Sequence, residues 1–163
     1  MEKVRAANER LSTLNSEVEI KIHKEYVDED SIEKYIKNKD FIVDCSDNFK
    51  TKFLINRIAV NFNVKSIIAG IKDFFGQIIT INPKLSACYE CVFNQPNLNV
   101  SSESPLPVIG VTPGILGTLE ALEVIKTTLG LPNLENKLLM VNLLNLSFDI
   151  IDLVRNDNCF CSK

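Results

Sequence analysis

Two close pairs of cysteines, CYEC with Cys88 and Cys91 and CFC with Cys159 and Cys161, have the residue type and spacing that most directly promise chemistry. Two thiolates a few residues apart on a turn supply half of a tetrahedral zinc site. Two such pairs complete one, and here they would tie a mid-chain loop to the C-terminal tail. Zinc is therefore the expected occupant, although CFC is tighter than the usual second C-x-x-C. The competing readings are a redox pair and unpartnered thiols. A thioredoxin-type pair would stand at a strand-to-helix junction with its own downstream helix, and CYECVFNQPN does not have that form. The fifth cysteine, Cys45, ends an apolar run and reads as a small buried hydrophobe rather than a nucleophile.

The second constellation is in FIVDCSDNFKTKFLIN, where Asp44, Ser46, Asp47 and Asn48 cluster between an apolar strand-like run and a helical pattern. In open α/β sheets ligands sit beyond the carboxyl ends of the strands, the place this cluster would take in a parallel sheet. A cation and a phosphate would suit it. Equally, Ser46, Asp47 or Asn48 could simply cap the helix that follows.

The elements that must position these groups follow from periodicity. Val4, Ala7, Leu11 and Leu14 predict an amphipathic helix over residues 2–15. VEIKIHKEYV alternates and predicts a strand; DEDSIEKYIKNKD predicts a short helix capped by Asp30 or Ser31, with Ile32, Tyr35 and Ile36 on one face. FIVDC reads as a strand buried on both faces of a parallel sheet. NFKTKFLINRIAVNFN reads as a helix turning Phe53, Leu54, Ile58 and Phe62 inward. VKSIIAGI and QIITINP are further strands about a KDFFG turn, and a proline-bearing loop runs from Asn82 to about Pro107. TPGILGTLEALEVIKTTLG predicts a long, mostly buried helix stopped by Gly130 and Pro132, its GILG start serving close packing. KLLMVNLL and LSFDIIDLV predict a closing hairpin about Asn145. Helix–strand alternation implies crossover units, hence an α/β fold in one domain over residues 1–163.

Composition narrows the function classes. The formal net charge of -3 argues against a nucleic-acid binder, which would show a clustered basic face. The longest apolar runs are broken by Asn, Ser and Asp, so no membrane span is expected. MEKVRAANERL lacks the apolar core of a signal peptide, making the cytoplasm the expected setting.

The motifs together resemble the ThiF/MoeB/HesA family, bacterial and archaeal relatives of ubiquitin-activating enzymes. DCSDNFKTKFLIN is similar to that family's D-x-x-D-N-x-x-x-R-x-x-x-N, and KDFFGQ to its G-x-x-G-Q. CYEC, TPGILGTLEALEVIK, the terminal cysteines and the EKVRAANERLSTLN helix complete the series in order, covering essentially the whole chain. The resemblance implies a partial Rossmann-like ThiF-type fold, a mixed sheet flanked by helices with a zinc-binding loop. It implies transfer of AMP from ATP to the C-terminal glycine of a ubiquitin-like sulfur-carrier protein of the MoaD or ThiS type. By the same resemblance, Asp47 is the catalytic residue and holds Mg²⁺, Asn48 borders the nucleotide, and Lys3 reaches the phosphates. Lys52 stands where the family has arginine, keeping the charge without the bidentate fork.

The resemblance also implies what to expect elsewhere. None of the glycines forms G-x-G-x-x-G after a strand, so the phosphate-cradling segment of the family is not matched, and the chain is expected to start at an internal methionine of a longer ancestor, or to be a gene fragment or a half that needs a partner. A sheet without that segment would expose apolar edges, so a homodimer or association with another chain is expected. NVSSESPLP lacks the cysteine some relatives use for covalent capture, so the chemistry should stop at the acyl-adenylate. The alternative reading is a non-catalytic zinc-stabilised module that binds a ubiquitin-like partner or a full-length paralogue. A dinucleotide-dependent oxidoreductase fragment, suggested by the α/β pattern alone, has no fingerprint loop here.

Overall fold

Strand periodicity organises the molecule into two hydrophobic layers, one on each face of a sheet. The computed structural model describes residues 2–93 and 108–163. Its elements run α1 Lys3–Leu14, α2 Glu29–Ile36, β1 Phe41–Asp44, α3 Phe49–Phe62, β2 Lys65–Lys72, β3 Phe75–Ile81, α4 Tyr89–Val92, α5 Val111–Thr128, β4 Lys137–Asn142 and β5 Ser147–Asp152, with a 3₁₀ turn at Phe160–Ser162. The sheet order is β1-β2-β3-β4-β5. Among the described residues only the β1–α3–β2 unit is a parallel crossover; β2 to β5 are antiparallel neighbours. The sheet is thus mixed, as the resemblance implies, and less crossover-rich than helix–strand alternation predicts.

Successive residues of β2 point to opposite layers. Ile68, with Ile79, Ile81 and Leu138, packs under α2, α3, Tyr89 and the cysteines. Ile67 and Ala69, with Ile78, Leu139 and Val141, pack against Leu116 of α5. Full burial of each such isoleucine contributes about 1.5–3 kcal/mol. Gly76 permits the second layer: a Cβ there would lie 2.7 Å from the Leu116 side chain, too close without displacement.

Several expectations are corrected. Residues 18–27 form no strand; among the described residues their backbone finds no ladder, and alternation without a hydrogen-bonding neighbour does not make a strand. The cap of α2 is Asp28, whose side chain accepts from the Ser31 amide while Ser31 Oγ accepts from the Asp28 amide. β1 pairs on one side only among the described residues, and Val43 is exposed rather than buried on both faces. Phe62 is also exposed, because α3 ends there in the left-handed Asn63. α5 is not mostly buried: it buries Thr112, Leu116, Glu120, Glu123 and Thr127 while Leu122 and Ile125 face outward. Within that stripe Glu123 is satisfied, Thr80 Oγ1 of β3 and the Leu134 amide both donating to its Oε2. Among the described residues an added Cβ at Gly114 or Gly117 meets nothing, so GILG does not serve close packing there.

The other predicted elements stand. α1 matches its expected span, although none of its residues is buried. β4 and β5 form the hairpin about Asn145, and Gly130 ends α5 in a left-handed conformation. The predicted loop from Asn82 to about Pro107 contains the short helix α4 at Tyr89–Val92, and its stretch from Asn94 to Pro107, with NVSSESPLP, lies outside the described residues. Among the described residues no helix is long and apolar enough to cross a membrane.

Candidate functional site

The chain leaves β1 through a turn pinned from below. Asp44, 1% exposed, accepts the Ser46 amide at 2.9 Å on Oδ1 and the Lys52 ammonium at 2.9 Å on Oδ2. Lys52 donates also to the carbonyls of Ser46, at 2.7 Å, and Ala69. All three ammonium donors are therefore satisfied inside the protein, and Lys52 is itself 5% exposed. In this arrangement Lys52 holds the turn from within. The physical reason is the buried Asp44 carboxylate, which strongly favours a matched cation beside it.

Above that pair the polar groups face solvent. Asp47 and Asn48 are exposed. Asn48 is the N-cap of α3, its Oδ1 accepting the Thr51 amide at 2.9 Å, and its Nδ2 lies 3.4 Å from Asp47 Oδ1. The cap and the candidate nucleotide edge are thus the same residue. Asp47 has a carboxylate free to accept a cation at a helix N-terminus, a location that also favours phosphate. Lys3 lies elsewhere, in a cleft lined by Glu2, Val4, His23, Lys24, Glu25 and Tyr26. No hydrogen bond or ion pair of the described residues joins it to the turn.

Behind the turn lies Glu120 of α5, 3% exposed, with one carboxyl oxygen lacking any partner among the described residues. Burial, and then the nearby Asp44 charge, push its carboxyl up to about 7, with Lys52 opposing. Its other oxygen is 4.0 Å from Cys45 Sγ. Cys45 is exposed, not a buried hydrophobe, because the chain turns outward after Asp44. Partial burial, then Glu120 and Asp44, hold its thiol above the ordinary value, so it is not an activated nucleophile. Glu120 carried no sequence signal, since a glutamate in a helix ordinarily faces water.

The four remaining cysteines converge as their spacing implies. Their sulfurs all lie within 4.8 Å of one another. Cys88 to Cys159 is 3.6 Å, Cys88 to Cys91 3.8 Å, and Cys91 to Cys161 3.5 Å. Four thiolates about 2.3 Å from one zinc would stand about 3.8 Å apart, whereas a disulfide needs about 2.05 Å. The residues fit a tetrahedral metal, and the short C-x-C does so as well as C-x-x-C. Burial holds the Cys88 thiol well above its ordinary value. Burial raises Cys91 too, but hydrogen bonds from the Asn156 and Cys88 backbone outweigh it and leave that thiol lowered. A cation at the centre would favour the thiolates.

Asn56 joins this cluster to α3. It is fully buried, accepts the Tyr89 amide at 2.9 Å, and donates to Glu90 Oε1 at 3.2 Å. Arg57 grips the same Glu90 carboxylate at 2.8 and 3.1 Å.

Comparison with known proteins resolves the kinship, for the ThiF family matches residues 1–163. This chain belongs to the ThiF family. A probable molybdopterin-synthase adenylyltransferase of Gracilaria tenuistipitata var. liui is 32% identical over 158 residues, covering 96% of this chain and 44% of that protein. A sulfur carrier protein adenylyltransferase of Thermus thermophilus is 31% identical over 165 residues, covering 96% and 61%. The chain therefore spans about half the length of these curated relatives. The solved structure of E. coli MccB with ATP matches with a TM-score of 0.81 at 18% identity, over 99% of this chain and 51% of that one. At that identity the likeness concerns the fold. Within this ThiF-family chain, the leading glycine of G-x-x-G-Q is replaced by Asp73, whose φ of 52° lies in the left-handed region that glycine adopts freely. The strained turn is clamped by Thr112 Oγ1, which donates to the Asp73 carbonyl at 2.7 Å.

Proposed function

We propose that this chain supplies the carboxyl-side half of a nucleotide site in a ThiF-type adenylyltransferase. The reaction is transfer of AMP from ATP to the C-terminal glycine carboxylate of a ubiquitin-like sulfur-carrier protein. The observation that carries this reading is the exposed Asp47–Asn48 pair at the carboxyl end of a parallel strand, held by the buried Asp44–Lys52 pair.

The attacking carboxylate is already an anion, so no general base is needed. The barrier lies in bringing that anion to the α-phosphate and in stabilising charge on phosphate and departing pyrophosphate, which Mg²⁺ supplies when bound. Asp47 would hold that ion and Asn48 would orient the nucleotide, while Lys3 remains the candidate phosphate contact. Cys88, Cys91, Cys159 and Cys161 would hold zinc as a closed structural centre. The setting we infer is cytoplasmic, with association through a second copy or another chain.

Replacing Asp47 by Ala, in a reconstituted system active with the wild-type chain, should cut ATP–pyrophosphate exchange by on the order of 10²-fold or more. Retained exchange refutes the assignment of Asp47.

A second reading, a non-catalytic module that docks a ubiquitin-like partner or a full-length paralogue, is favoured by the apolar surface on β5. Phe148 and Ile150 are 50% and 59% exposed there. Titration calorimetry separates the two. Measurable Mg·ATP binding by the chain, alone or with its carrier, supports the enzyme; none in either mixture leaves the binding module.

A further inference from the structure

α3 carries polar residues at Asn48, Lys52 and Asn56, each four residues on from the last, so they form one ridge about 12 Å long. The upper two hold the candidate nucleotide edge: Asn48 caps the helix and Lys52 fixes Asp44 and the Ser46 carbonyl. The lowest one meets the cysteine centre. Asn56 Nδ2 lies 3.8 Å from Cys88 Sγ, and its Oδ1 accepts the amide of Tyr89, the next residue. The neighbouring Arg57 guanidinium lies 6.0 Å from the ring of Phe160, which separates Cys159 from Cys161. The Asn48–Lys52–Asn56 face therefore joins the turn beneath Asp47 to the Cys88 side of the cluster, and Arg57, beside it on the helix, lies near the C-terminal pair.

We infer that Asn56 is a positioning residue through which metal occupancy of the cysteine centre sets the order of the Asp44–Asn48 turn. This rests on the zinc assignment and deepens the nucleotide-site reading. A metal joins CYEC to the C-terminal tail and thereby fixes the Cys88–Glu90 backbone that Asn56 grips. With the metal removed, only sulfur contacts and the flanking hydrogen bonds hold the two cysteine pairs together. The 88–90 segment then loosens, and a fully buried amide loses the partners that justify its burial. The last turns of α3 bear that cost, and the helix passes it along its length to Lys52 and Asn48. By reciprocity, ordering of the turn tightens the metal. An asparagine side chain meets both demands at this position, since its N–H faces sulfur and Glu90 while its oxygen faces the Tyr89 amide. Neither aspartate nor alanine provides both.

The test uses the full chain, zinc-loaded and then stripped with a chelator, with deuterium uptake followed over residues 44–52. In the wild type, stripping should speed exchange there at least severalfold. Asn56→Asp keeps the acceptor for Tyr89 and loses the N–H donors; Asn56→Ala loses both. Both should bind zinc about 10–100-fold more weakly, show a shifted sulfur-to-cobalt charge-transfer band when Co²⁺ replaces zinc, and take up deuterium over 44–52 at the same rate with saturating zinc as without. Asn56→Asp carries the result should the alanine variant not fold. Zinc-dependent protection of 44–52 that persists in the variants overturns the inference, as does wild-type protection that ignores zinc. A wild-type chain that holds no zinc removes its premise and overturns it too. Failure of the adenylylation reading shows separately, in pyrophosphate exchange, and leaves these readouts intact.

Discussion

The turn after β1 and the cysteine cluster are both polar constellations resting on α3, yet they are built in opposite senses. In the turn, buried charges lie beneath and Asp47 and Asn48 stand above in solvent. In the cluster, four sulfurs turn toward one another, with Cys88 and Cys159 buried, leaving no open position beyond the four. An open carboxylate can bind and release a ligand at each turnover. A closed sulfur cage can only hold its occupant, so its worth is in stability. On the proposed function the difference is one between chemistry and architecture, and mutations should separate the two.

The largest expected effect is on the closed site. Cys88→Ser should abolish stoichiometric zinc and remove several kcal/mol of stability, read by metal analysis and thermal melting. Well under one zinc per wild-type chain would erase the contrast.

Next, Lys52→Met leaves the buried Asp44 carboxylate without its cation and should cost about 3–5 kcal/mol in denaturant unfolding. Asp47→Ala, only a few residues away and exposed, should change stability by no more than about 0.5 kcal/mol while exchange collapses. Comparable stability losses in the two variants would break the division between a structural floor and a chemical rim.

Glu120 sharpens the same boundary through pH. Its folded carboxyl stands near 7, above the ordinary 4.5, so the native state binds more protons than the unfolded chain between those values. Its contribution to stability is therefore complete below about pH 4.5 and is lost as pH rises through 7. The loss should be on the order of 2–3 kcal/mol across that window. Glu120→Gln should flatten that part of the stability profile, and a profile unchanged by the substitution would contradict the burial argument.

The smallest effect is the cap: Asn48→Ala should cost about 1 kcal/mol of stability through the lost bond to the Thr51 amide. A larger loss of exchange than of stability would show that Asn48 also serves the nucleotide.

Much of the molecule is legible in its sequence, for identifiable reasons. The convergence of the four cysteines can be read because paired thiols at short spacing already have the form that metal ligation demands, whatever the surrounding fold. The hairpin about Asn145 and the stop at Gly130 and Pro132 can be read because turn chemistry is local. The strand expected at 18–27 cannot be judged locally, because alternation says which faces a strand would have and not whether a neighbour is there to pair with it. Lys52 shows a related limit: motif position identifies a cation but not its buried partner Asp44.

By itself the sequence determined the ThiF kinship, the pairing of the four cysteines and a helix start within Ser46–Asn48, all properties of residue type at short spacing. Tertiary structure alone decided that Lys52 turns inward, that Glu120 is buried with an oxygen unpartnered among the described residues, and that Asn56 reaches Cys88 from 32 residues away in sequence. Those are facts of burial. Whether a charge stays in water or loses it depends on which elements pack over it, and that packing is set by contacts distant along the chain.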